Sequence, residues 1–140
     1  MSCIACLLDT NVLSKASRPT PNAGVMFNLT RYPGELAIAA PTWHALRLGW
    51  LRKPAGQLRD AIGRFVQDVA GQLPVLPYGT QAAQSHAELR VQPEPLGLML
   101  PFVGGQIAAI AMARGIIRVT RNSRDFVGLP GLRLADWFEG

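Results

Sequence analysis

Acids that directly follow buried strands are well placed for chemistry in an α/β chain, and two of the nine acids in this sequence hold such positions. Asp9 ends the apolar run CIACLL (3–8), and Asp125 lies in TRNSRDF, just after IIRVT (116–120). A carboxylate at the end of a buried strand has to be hydrated, hydrogen-bonded or bound to a cation. Two readings follow. In one, Asp9 caps the turn TNVLS, and Asn122 or Ser123 caps the turn that holds Asp125. In the other, the two aspartates hold a hard divalent cation, which activates water or steadies a leaving oxygen by its own charge.

The elements that position these acids alternate between strand and helix. CIACLL, LAIAA (36–40), PVLPY (74–78), IIRVT (116–120) and LRLADWF (132–138) read as strands. Helices are expected in TNVLSKAS, in PNAGVMFNLTRY (21–32), over 41–53 behind Pro41, over 56–73, over 80–92 with Thr80 as cap, and over 102–114. Leu58, Ile62, Phe65, Val66 and Val69 form the inward face of the 56–73 helix. The implied fold is α/β, a three-layer α/β/α sandwich around a mostly parallel sheet of four to five strands, in one domain over 1–140.

The chain has 140 residues, 49% of them hydrophobic and 16% charged, which suits one compact domain that hides further apolar surface by self-association. Its net charge of +5 comes almost wholly from arginine, twelve against two lysines. Arginine's planar fork suits phosphate or an acidic partner, though a plain basic surface has the same composition. No apolar run is long enough to span a bilayer and MSCIACLL lacks the basic start of a secretory signal, so a cytoplasmic protein is expected. Cys3 and Cys6 are spaced C-x-x-C within an expected strand, where residues three apart face opposite ways, and they read as packed thiols.

LLDTNVLS, WHALRLG, PFVGGQIAAIA, VTRNSRDF and the closing LRLADWF together, in order and spacing, resemble the PIN-domain ribonucleases, especially the VapC-type toxins of bacterial toxin–antitoxin pairs. The resemblance spans essentially the whole chain and is loosest over 80–100. It implies a PIN-like fold, a Mg²⁺- or Mn²⁺-dependent endoribonuclease site, a homodimer, an RNA substrate and a cognate antitoxin whose tail enters the active-site groove. Of the four acids that meet at the metal in that family, the first corresponds to Asp9 and the last to Asp125, with Thr10, Asn11, Thr120 and Asn122 as polar support. The other two positions carry Ala45, in HALRLG, and Gly104, in PFVGGQ.

Two remaining acids can balance one divalent ion formally, but a second ion finds no acid of this set to balance it. Glu35, Glu88 and Glu94 do not read as strand-end residues. Metal binding is therefore expected to be weakened, and RNA cleavage weak or absent. The alternative is a non-catalytic pseudoenzyme that binds antitoxin or RNA.

Other residues carry sharp and bland readings side by side. His44 is a candidate RNA contact or proton carrier, or a packing or hydrogen-bonding histidine on its helix; His86 reads as part of a polar helix face without a role. Arg47, Arg52, Lys53, Arg59 and Arg64 form the densest basic cluster, either a rim that tracks phosphate or binds an acidic tail, or a solvated helical surface. Arg121 and Arg124 flank Asn122 and are RNA-contact candidates, or partners that merely hold the turn around Asp125. Trp43, Trp50 and Phe65 recur at helical spacing and read as core or dimer interface rather than base-stacking surfaces.

Overall fold

A computed structural model describes residues 4–10, 12–13, 23–24, 34–91, 101–119 and 133–135. The described strands are β1 (Cys6–Leu8), β2 (Leu36–Ala39), β3 (Val75–Leu76), β4 (Ile117–Val119) and β5 (Leu134–Ala135). Four helices accompany them: α1 (Ala40–Leu51), α2 (Gln57–Asp68), α3 (Thr80–Val91) and α4 (Phe102–Arg114). The backbone is also helical at Thr10, Val12 and Leu13 and at 23–24. The rest of the expected helices TNVLSKAS and 21–32 lies outside the described residues, as do Cys3 and the tail beyond 135.

All five strands pair in parallel, in the order β3-β2-β1-β4-β5. Alternation along the strands divides the apolar residues between two cores. Leu7, Ala37 and Ala39 pack with α3 and α4 residues such as Leu89, Ile107 and Ile110. Leu8, Leu36, Ile38 and Val119 face the other way, onto Leu46, Val66, Trp43 and Trp50 of α1 and α2. The sheet is thus covered on both faces, which is the expected sandwich, and its strands are apolar apart from Arg118 in β4.

Local chemistry sets the ends of the elements. Pro41 fits the first turn of α1, where its missing N–H costs nothing. Gly115 ends α4 in the left-handed region at φ 66°, its N–H bonding to Met112 O, while Ile116 N–H reaches back to Ala111 O. Gly63 sits under the Trp50 indole, so close that a Cβ there would lie 2.5 Å from Nε1.

Several expectations fail in detail. Leu58 and Val69 are exposed rather than inward, because α2 turns Gly63 and Val66 to the core and stops at Asp68. The expected tail of that helix is a separate 3₁₀ turn, Ala70–Gln72. Thr80 is the first helical residue of α3 rather than its cap. Strands β1, β2 and β3 are shorter than the expected runs CIACLL, LAIAA and PVLPY.

Candidate functional site

In a parallel sheet, loops leaving neighbouring strands on opposite sides open a crevice at the carboxyl edge. Here β1 is followed by β2 on one side and paired with β4 on the other, so the crevice falls at the end of β1, where Asp9 stands. Two helices also begin on that edge: α1, which directly follows β2, and α4, which runs back to the start of β4. The two helices touch.

Asp9 is buried and held from several sides. Its backbone N–H donates to Val119 O at 2.9 Å, continuing the β1–β4 ladder one step past the strand. Its side-chain Oδ1 accepts the Thr10 N–H at 2.9 Å, and Oδ2 lies 3.2 Å from Arg118 Nη2. The two side chains are only 10% and 3% exposed. Arg118 pairs in register with Leu7, two residues before Asp9, so both charged residues lie on the α4 face of the sheet. From there its other terminal nitrogen, Nη1, donates 2.9 Å to the carbonyl of Gly104 in the first turn of α4. One guanidinium therefore joins the end of β1 to the start of α4.

The other expected site residues divide clearly. Gly104 is half-buried in the first turn of α4, and Ala45 is exposed on α1. Asn11, Thr120, Arg121, Asn122, Arg124 and Asp125 lie outside the described residues. Arg47 is half-buried, with its guanidinium 5.6 Å from the Trp43 ring and 5.5 Å from that of Trp50. Arg52 is exposed at the end of α1. Trp43, Trp50 and Phe65 pack against the core, which removes them as base-stacking surfaces. His44 is exposed, which removes only its reading as a packed histidine, because α1 turns Thr42 and Leu46 inward.

Among the described residues, no three of His, Cys, Asp and Glu stand close enough to share a metal ion.

No family model matches the chain. Individual proteins do. The chain is 32% identical over 126 residues to the VapC ribonuclease Y4jK of Sinorhizobium fredii, covering 86% of this chain and 89% of that protein. It is also 32% identical over 136 residues to the tRNA(fMet)-specific endonuclease VapC of Shigella flexneri, covering 94% and 96%. The chain belongs to the VapC-type PIN-domain toxins. Among solved structures, DNA-bound VapBC from Salmonella typhimurium superposes with a TM-score of 0.84 at 26% identity, over 96% of this chain and 98% of that one.

Two features of this VapC-type chain escaped the sequence reading. Arg118 sits inside the apolar run IIRVT, and a lone arginine in a strand buried on both faces needs an acceptor, which is the signal that could have found it. His86, expected on a polar face, is buried; its Nδ1 is hydrogen-bonded to Tyr78 Oη at 2.7 Å and its ring meets Phe102 edge-on. Burial holds the His86 imidazole below its ordinary value, and the charge of Arg90 adds to the effect. Burial also pushes the Cys6 thiol up, with Glu35 contributing, which agrees with a packed and unreactive thiol. No helix among the described residues is long and apolar enough to cross a membrane.

Proposed function

We propose that the chain is the toxin member of a toxin–antitoxin pair, built on a divalent-metal-dependent endoribonuclease scaffold whose cleavage of RNA is weak or lost. The observation that carries this reading is the state of Asp9. It stands at the crevice where a metal-site acid of this fold belongs, yet its two oxygens are engaged by a backbone N–H and by Arg118. A Mg²⁺ or Mn²⁺ ion asks for several hard oxygen ligands in near-octahedral array. The described residues do not fit such an ion: α1 and α4 offer Ala45 and Gly104, neither of which has a side-chain oxygen.

In this reading Asp9 and Asp125 are what remains of the metal-binding and catalytic set. Thr10, Asn11, Thr120 and Asn122 are its polar support, and Arg121, Arg124, Arg47 and Arg52 contact the RNA backbone. The partners are a cognate antitoxin, RNA and a second copy of the chain, and the chain works as one domain in the cytoplasm. The similarity to VapBC supports the antitoxin, since that structure is of the toxin–antitoxin complex on DNA. The Arg118–Asp9 pair also favours a second reading, a pseudoenzyme that keeps antitoxin or RNA binding without catalysis.

The test is cleavage of structured RNAs in Mg²⁺ or Mn²⁺ by the wild-type chain and by variants carrying Ala45→Glu and Gly104→Asp, with Arg118 retained and replaced. Alongside it, the antitoxin encoded at the native locus is assayed for binding. The expected result is intact RNA with the wild type, cleavage by an acid-restored variant and antitoxin binding by both. If every acid-restored variant binds metal yet leaves all RNA uncut, the nuclease scaffold reading fails. Robust cleavage by the wild type refutes the loss of activity.

A further inference from the structure

We propose that Arg118 is the resident cation of the Asp9 site, a covalently attached positive charge that answers the carboxylate and keeps divalent ions out. The geometry is that of a clamp. Nη2 lies 3.2 Å from Asp9 Oδ2 and Nη1 donates at 2.9 Å to Gly104 O, so one planar group is fixed by two acceptors on two elements. Both acceptors are oxygens of the kind a hard cation takes. The guanidinium stays charged at every pH a folded protein experiences, so the site cannot free itself by losing a proton. A divalent ion approaching Asp9 has either to bind beside this charge or to expel a side chain that is 97% buried, since Arg118 is only 3% exposed.

Gly104 has a part in the clamp beyond its missing carboxylate. Its carbonyl is the second acceptor, and as a glycine it adds no side chain to the first turn of α4 next to the guanidinium. An aspartate introduced there adds a carboxylate to the turn whose carbonyl Arg118 already holds. Restoring the acids while leaving Arg118 therefore makes a larger ion-pair cluster in place of an open metal site. The inference rests on the reading of Asp9 as a metal-site acid.

The experiment is a Mn²⁺ titration followed by electron paramagnetic resonance, in which free Mn²⁺ is counted directly and no activity is needed. Four folded proteins are compared: the wild type, A45E/G104D, and A45E/G104D combined with R118M or with R118Q. Glutamine keeps a donor for the Gly104 carbonyl without the charge and serves where methionine prevents folding. The wild type is expected to bind no Mn²⁺ up to about 1 mM, a few kcal/mol short of a micromolar site. Either Arg118-replaced protein is expected to bind at least about tenfold more tightly than A45E/G104D.

Micromolar binding by the wild type, or equal binding by A45E/G104D with and without Arg118, overturns the proposal. Its failure is separable from that of the nuclease reading. A variant lacking Arg118 that binds Mn²⁺ but cuts no RNA removes the nuclease reading alone. An A45E/G104D protein that binds Mn²⁺ equally tightly with and without Arg118, and cuts RNA with Arg118 in place, removes this one alone.

Discussion

Replacing Arg118 by methionine is the sharpest perturbation of the folded chain, because its cost follows from burial and geometry without reference to any ligand. The side chains of Arg118 and Asp9 are 3% and 10% exposed, so neither half of the pair is well served by water once the other is removed. Breaking such a buried pair costs about 3–5 kcal/mol, most of it the penalty for the charge left behind. The bond that Asp9 keeps from the Thr10 N–H places the expected loss near the lower bound, about 3 kcal/mol. For a chain of this length that is a fall in Tm of roughly 10 °C.

The measurement is urea unfolding of the wild type, R118M, D9N and D9N/R118M as a double-mutant cycle. Removing both charges at once leaves neither stranded, so the double variant is expected to be more stable than the sum of the single losses by about 2 kcal/mol. A loss below about 1 kcal/mol in R118M, or single effects that add within about 0.5 kcal/mol, refutes the claim that the two charges neutralise one another in the native fold.

Three further outcomes follow from packing and protonation. Gly63→Ala gains about 1 kcal/mol of helix propensity but drives a methyl into the Trp50 indole, and a net loss of about 1–2 kcal/mol in urea is expected, with Trp50 fluorescence altered. Gly115→Ala forces a Cβ into the left-handed region at φ 66° and should lower stability by about 1 kcal/mol by calorimetry, with no change in the far-ultraviolet spectrum. The His86 imidazole is held low in the folded state, so the unfolded chain takes up a proton below about pH 6.5 that the folded chain resists. The stability contributed by neutral His86 is therefore present above that pH and lost as pH falls, and the urea midpoint should drop more steeply between about pH 7 and 5 in the wild type than in H86Q.

The architecture was legible because its causes are local or periodic. CLL, LAIA and IRV are short, nearly unbroken apolar stretches, the pattern of a strand covered on both faces. Helix α4 was read correctly from Phe102 to Arg114 because Pro101 and Gly115 bracket it chemically. Contacts between distant elements were not legible in the same way. His86 looks polar among Gln84, Ser85 and Glu88, but its face of α3 turns toward Tyr78 and Phe102, and nothing in the helix itself reports those neighbours. Val69 fits an amphipathic period that continues past the real helix end at Asp68.

Arg118 shows why motif reading finds half of a site such as this. A motif marks where ligands belong, so Asp9 drew attention as a carboxylate and Ala45 and Gly104 as substitutions, while the neutralising partner lay in a position with no motif meaning. Asp9 had two competing explanations, a turn-capping bond or a bound cation, and the structure shows a buried ion pair within the chain. Oδ1 takes the Thr10 N–H that opens the next turn, and Oδ2 takes a cation that belongs to the chain itself. A strand-end aspartate in this fold therefore does not by itself report a working metal site. Its charge requires an answer in every case, and whether that answer diffuses in or is encoded three strands later decides between a cofactor site and a structural ion pair.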